Sequence, residues 1–318
     1  MSLAIGVDIG GTKTAIGLIE ADGSVVRSIV APTPSRDSEA LFATVHAGIE
    51  QMMGDDDVTA VGVGVAGLVN ESGNTVVFAP HLAWRGEDVA GRLQTLTGLP
   101  VEVDNDVAAT AWAEFTFGAG QGADPLLVVT VGTGLGGGIV IDGHLMRGAT
   151  GASGEVGHVP FVPHGHLCGC GAHGCWEQYA SGSALTRAAR EFVSSESSEA
   201  AALREACNGD IDQLVGSMVT DLAVAGDHAS IRIIADVGHA LGEGLAGVVA
   251  ILDPARIVVG GGAAQAGDLL LDPARAALAA RLVGAAYRVL PPIVEAACGE
   301  QAAMIGAAEL ARQRFSTT

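Results

Sequence analysis

Aromatic side chains make up only 4% of this 318-residue sequence, so its core must be built from Ala, Val, Leu and Ile. With 46 glycines, that composition suits an α/β protein rich in tight turns. Cations are scarce as well. Lys and Arg number 16 against 36 Asp and Glu, and a net charge of −20 gives no electrostatic gain on nucleic acid or an anionic membrane, so neither is an expected partner. Cysteines number five, too few and too clustered for a disulfide framework in a long chain. No uninterrupted apolar run approaches the roughly 18 to 20 residues that span a bilayer. Asp8 breaks the amino-terminal apolar stretch before a signal-peptide core forms, and the expected location is the cytoplasm. A chain of this length exceeds one ordinary core, which points to two lobes.

Hydrophobic patterning predicts strands at Leu3 to Ile9, Thr14 to Glu20 and Ser24 to Val30, joined by Gly-rich and Asp-Gly turns. A helix over Ser38 to Met53 and a strand over Val58 to Val65 follow. Next come a helix over Gly86 to Thr97, a strand over Val101 to Val103 and a helix over Asp106 to Phe117. The pattern then restarts. Leu126 to Val131 reads as a strand, and Gly132-Thr133 with Gly138-Ile139-Val140 repeats the spacing of Gly11-Thr12 with Gly17-Leu18-Ile19, which suggests an internal duplication. Later segments predict helices near Ser183 to Phe192, Ile231 to Leu252, Leu269 to Val283 and Gln301 to Arg314, with a strand at Arg256 to Val259.

The turn Asp8-Ile9-Gly10-Gly11-Thr12-Lys13 lets backbone N–H groups approach a phosphate, adds the Thr12 hydroxyl, and offers Asp8 for a hydrated Mg²⁺. A plain glycine-rich hairpin is the alternative. Gly132-Thr133-Gly134 supplies a matching second loop, and Gly260-Gly261-Gly262 offers a flat surface suited to adenosine. Gly62 to Gly67 imitates a dinucleotide fingerprint, but Asn70 to Asn74 are turn residues where the required helix should start, so that reading fails. Cys168, Cys170 and Cys175 provide three thiolates within eight residues, and His158, His164, His166 or His173 completes a tetrahedral zinc set. Four protein ligands leave no open position, so the role of such a site is structural.

The loop Asp8 to Lys13, Asn105-Asp106, Glu155-Val156-Gly157-His158, Cys168-Gly-Cys170-Gly-x-x-Gly-Cys175, Glu177 and Ser181-Gly182 together resemble the ROK family of sugar kinases and repressors. The bacterial glucokinases of that family share the pattern most fully, including His81 to Arg85. The resemblance implies two actin-like, ribonuclease H-like lobes, a duplicated βββαβα unit, around a cleft with an inserted zinc loop. Residues 1–117 with 303–318 would form the small lobe, and 118–302 the large lobe carrying the zinc loop at 155–180. It implies ATP with Mg²⁺ as co-substrate, a structural Zn²⁺ on His158, Cys168, Cys170 and Cys175, and homodimers or homotetramers. Asp106 would be the general base on the 6-hydroxyl of glucose, with Gly67, Asn105, Glu155, His158 and Glu177 lining the sugar. Asp8, Gly10, Gly11, Thr12, Lys13, Gly132, Thr133, Gly134, Gly260, Gly261 and Gly262 would hold the nucleotide. His81 replaces an expected Asn and Asn70 an expected Asp, which leaves mannose, fructose or N-acetylmannosamine as alternative sugars; the resemblance also leaves polyphosphate as an alternative donor, since some members of the family accept it. A repressor would need a helix-turn-helix segment ahead of the first strand at Leu3, and an enzyme is expected instead.

Overall fold

The computed structural model describes residues 3–195 and 197–316. The outermost positions of the expected small lobe, residues 1–2 and 317–318, lie outside the described residues. β1 (Leu3–Ile9), β2 (Lys13–Ile19) and β3 (Val25–Pro32) form the anticipated antiparallel meander. Helix α1 (Ser38–Met53) is capped by Asp37 and buries Leu41, Phe42, Val45 and Ile49 at helical spacing. β4 (Val58–Val65) then returns parallel to β1.

Between β4 and the next helix lies a feature the patterning did not reveal, a small sheet of β5 (Leu68–Val69), β6 (Thr75–Phe78) and β7 (Arg85–Asp88). The helix predicted from Gly86 therefore begins later, as α2 (Val89–Thr97). Gly86 has φ of 65°, outside the helical region, and the Asp88 side chain accepts the Gly91 N–H as the cap. β8 (Val101–Asn105) pairs parallel with β4 and leads directly into α3 (Asp106–Thr116).

The second half contains β9 (Leu126–Val131), β10 (Leu135–Ile141), β11 (His144–Leu145), α4 (Gly182–Ser194), α5 (Ala201–Ala206), α6 (Gly216–Val224) and α7 (His228–Leu252). β12 (Arg256–Gly260), α8 (Asp268–Arg281), β13 (Ile293–Glu295) and α9 (Ala302–Phe315) complete it. The first five-stranded sheet has the order β3-β2-β1-β4-β8 and the second β11-β10-β9-β12-β13. Both run third, second, first, fourth, fifth in their own chain order, the topological signature of the duplication suspected from the two Gly-Thr loops.

The chain divides into two compact units: Met1–Val128 with Gly138–Gly154 and Ala296–Thr318, and Val129–Gly137 with Glu155–Glu295. In the first, α9 packs on the first sheet so closely that a Cβ on Gly6 or Gly62 would overlap the backbone of Met304 or Ala307. In the second, α7 packs along α8 and α6. At 25 residues α7 is long and apolar enough to cross a membrane by length and composition, against the expectation that no apolar run approaches that length. Its buried residues, among them Ile233, Ile234, Val237, Leu241 and Leu245, form the stripe of a core helix.

Candidate active site

In the first unit, strand pairing sets the candidate catalytic end. Asp8 lies between Ala15 on β2 and Gly64 on β4, next to the turn that Gly10 N–H closes on the Lys13 carbonyl at 3.0 Å. The Thr33 N–H bonds the Thr12 carbonyl at 2.9 Å and pins the loop from its far side. Lys13, the only lysine in the sequence, is exposed and pairs with Glu300 at 3.6 Å. Burial and the neighbouring Asp106 carboxylate push the Asp8 carboxyl up to about 7, with Lys13 opposing. Burial likewise raises Asp106, against a hydrogen bond from the Val107 N–H.

The N-cap of α3 is Asn105. The Asn105 Oδ1 accepts from Val107 N–H at 2.8 Å and Ala108 N–H at 3.0 Å, and its Nδ2 donates to the Gly67 carbonyl at 3.1 Å. Asp106 takes the first helical position, its Oδ1 accepting the Val107 N–H at 3.0 Å. One side chain thus ties the β8–α3 junction to the Gly67 turn, and a Cβ on Gly67 would come within 2.6 Å of the Phe78 carbonyl.

Sequence reasoning missed the layer beneath this junction. Glu102 and Asp104 alternate onto one face of β8, and Arg147 bridges both, with Nη2 at 2.8 Å from Glu102 and Nε at 2.8 Å from Asp104. Arg314 reaches Glu102 at 3.2 Å. Burial pushes both carboxyls up while the arginines pull them down. The alternation of acids on a short strand was the available signal, but a lone Arg in a Gly/Ala loop carries no motif.

In the second unit, the Gly132 turn is held by its N–H to the Gly134 carbonyl at 3.0 Å. The first turn of α4 donates back to the loop, Gly182 N–H to Gly132 at 2.7 Å and Ser183 N–H to Thr133 at 3.3 Å. Gly261, at φ of 90°, lies against Val131, so 260–262 and 132–134 come together, and a Cβ on Gly132 or Gly262 would meet open space. On the other flank Glu177 approaches Gly134, whose Cβ would fall 2.7 Å from Oε2.

Residues 155–180 hold only short helical turns at Val156–His158 and Trp176–Gln178, yet they carry most of the second unit's candidate side chains. His158, Cys168, Cys170 and Cys175 offer ligand atoms all within 4.8 Å of one another. His158 Nδ1 is 3.6 Å from Cys168 Sγ, and Cys170 and Cys175 sulfurs are 3.6 Å apart. Zinc–sulfur bonds of about 2.3 Å in a tetrahedron give edges of about 3.8 Å, so the set fits zinc. Among the four candidate histidines His158 joins the thiols, whereas His166 leans on Tyr179 and His173 Nδ1 faces the Gly165 carbonyl. The other imidazole nitrogen of His158 faces Glu155 at 3.6 Å, and Glu177 Oε1 sits 2.9 Å from Cys168 Sγ. Trp176 anchors the loop: it is buried, donates from Nε1 to the Ala240 carbonyl of α7 at 2.8 Å, and covers Gly244, where no Cβ fits.

The sequence profile of the ROK family matches residues 4–314. The chain belongs to the ROK family. It is 40% identical over 313 residues to a glucokinase of Streptomyces coelicolor, covering 98% of both chains. It is also similar to the crystal structure of a ROK family glucokinase from Streptomyces griseus in complex with glucose and AMPPNP, at 41% identity and a TM-score of 0.91 over 98% of this chain and 100% of that one. A ROK hexokinase from Thermus thermophilus matches at 30% identity and a TM-score of 0.78 over 98% of each chain. The mixed α/β fold is that of these kinases.

Proposed function

We propose that this protein is a glucokinase, transferring the γ-phosphoryl group of ATP to the 6-hydroxyl of glucose. The observation that carries the reading is the placement of Asp106 at the first position of α3, the cap being supplied by Asn105, with its carboxylate close enough to Asp8 to disfavour the ionisation of Asp8. The full-length kinship with glucokinases supports the choice of sugar.

In this reading the Asp106 carboxylate takes the proton of the 6-hydroxyl as that oxygen bonds to the γ-phosphorus, and the bond to the bridging β–γ oxygen breaks to release ADP. A raised Asp106 pKa brings the base nearer the working pH and increases its pull on the proton. The transition state is loose, so the protein mainly aligns the hydroxyl and neutralises charge. Gly10, Gly11, Thr12, Lys13 and Gly132 to Gly134 would hold phosphates, Asp8 would hold a hydrated Mg²⁺, and Gly260 to Gly262 would take the adenosine. Gly67, the remaining Asn105 amide N–H, Glu155, His158 and Glu177 orient the sugar. His158 and the three thiolates would hold a zinc ion, which would supply structural cross-linking to the loop; the far imidazole nitrogen of His158 lies 3.6 Å from Glu155, and Glu177 lies beside Gly134. The same reading retains lobes at 1–117 with 303–318 and at 118–302, a cytoplasmic location and self-association. Exposed Ile251, Tyr287 and Val289 would supply apolar area for contact between copies.

Phosphorus NMR of a reaction with glucose and Mg·ATP tests the reading. The expected product is glucose 6-phosphate with ADP. Phosphate on another hydroxyl would refute the assigned geometry, and turnover with polyphosphate but not ATP would refute the donor.

A further inference from the structure

Arg147 stands outside every motif quoted above, yet it touches the strand that delivers the candidate base. Its guanidinium lies flat between two buried carboxylates two residues apart on β8, Glu102 and Asp104. Asp104 divides its oxygens: Oδ2 accepts Arg147 Nε at 2.8 Å, and Oδ1 accepts the Asn105 backbone N–H at 2.9 Å. Asn105 in turn caps α3 and holds the Gly67 carbonyl. Three consecutive hydrogen-bonded links therefore connect Arg147 to the residue before Asp106 and to the Gly67 turn.

Arg147 also begins the segment that leads along the chain to Glu155 and His158. Its carbonyl accepts the Ser153 N–H at 3.1 Å, closing that segment into a compact turn. Gly151 in the turn lies against the Val69 carbonyl of β5, too close for any Cβ. The turn is thus pinned twice to the first unit, by the Arg147 side chain on β8 and by its backbone against β5.

We propose that Arg147 is a positioning residue for phosphoryl transfer, fixing through Asp104 and Glu102 both the β8–α3 junction that presents Asp106 and the start of the segment that delivers Glu155 and His158. The inference rests on the glucokinase reading. Its effect falls on the sugar and the transfer step and leaves the Mg·ATP loops untouched. A misplacement near one ångström at the reacting groups is sufficient for losses near 100-fold.

Three variants test it, with wild-type glucose phosphorylation measured in parallel so that failure of the underlying reading shows in the wild type. Arg147→Met leaves the buried Asp104 carboxylate without its ion pair and Glu102 with Arg314 alone, and is expected to lower both Tm and kcat/KM for glucose, the latter by about ten- to 100-fold, with the KM for Mg·ATP within about twofold. Arg147→Met combined with Glu102→Gln and Asp104→Asn removes the stranded charges. It is expected to recover Tm while kcat/KM for glucose stays at least about tenfold down. Arg147→Lys keeps the charge but not the two-pronged geometry and is expected to fall between the two. Recovery of kcat/KM together with Tm in the triple variant would show that Arg147 only neutralises buried charge and would overturn the proposal. A wild-type kcat/KM in Arg147→Met or Arg147→Lys would do the same. Should Arg147→Met not fold, the lysine and triple variants decide the matter.

Discussion

Two parts of the candidate site are built on opposite principles. The β8–α3 junction in the first unit places Asn105 and Asp106 with ordinary secondary structure: a parallel ladder on one side, a capped helix on the other, and an arginine beneath. The 155–180 loop in the second unit places Glu155, His158 and Glu177 with almost no regular structure, relying on a three-thiol, one-imidazole cluster and one buried Trp. Backbone hydrogen bonding can hold a site only where a sheet edge ends in it. Where a loop must carry several polar groups and has no core of its own, cross-linking through a metal substitutes for that core. The difference predicts different modes of failure, chemical for the first region and conformational for the second.

The largest expected effect isolates chemistry from structure. Asp106→Asn should keep the α3 cap, since Asn105 provides it, and glucose binding measured by calorimetry should survive while kcat falls by about 10² to 10⁴-fold. A parallel loss of fold or of binding would break the contrast. In the second region, Cys170→Ser should reduce bound zinc from about one equivalent to none and open residues 155–180 to protease, with kcat/KM for glucose falling about ten- to 100-fold. Full metal content with an unchanged Tm would remove the zinc assignment.

A third effect follows from Asp8. Its carboxyl is raised to about 7 in the folded protein, chiefly by burial, from an ordinary value of 3.8. Between those limits the folded state keeps a proton that the unfolded chain has released. Asp8 therefore withdraws stability as pH climbs from about 4 to about 7 and contributes no such penalty below that window. Asp8→Asn should accordingly gain stability relative to wild type across that window, on the order of 2 to 4 kcal/mol by pH 8 without Mg²⁺. Denaturant melts at pH 4 and pH 8 check the sign; a gain confined to low pH would contradict it. Last and smallest, Asn105→Ala removes a helix cap and should cost about 1 kcal/mol of stability in the same melts. Because it also frees Gly67, it should raise KM for glucose more than it lowers kcat.

The sequence made these two regions legible to different degrees. Three thiols in eight residues are a strong chemical signal, and the structure selects His158 from four histidines that spacing left open. Paired Gly-Thr loops disclosed a duplication that the matching strand orders bear out. The β5–β7 sheet stayed hidden because its strands are two to four residues long, too short for period-two alternation to register. Which of Asn105 and Asp106 caps α3 is not legible in the sequence, because Asn and Asp cap equally well and only φ and ψ decide. Arg147 was invisible for a different reason: its partners lie more than 40 residues away and are joined to it only by the fold.

The central claim is that these residues make a glucose-phosphorylating enzyme. ADP release from Mg·ATP should be measured with saturating glucose, mannose, fructose, N-acetylglucosamine or N-acetylmannosamine, each in a separate reaction. Fast release is expected with glucose and at least about tenfold lower kcat/KM with every other sugar, a gap of about 1.4 kcal/mol in transition-state stabilisation. Release that does not depend on any of these sugars, or that favours another over glucose, would contradict it.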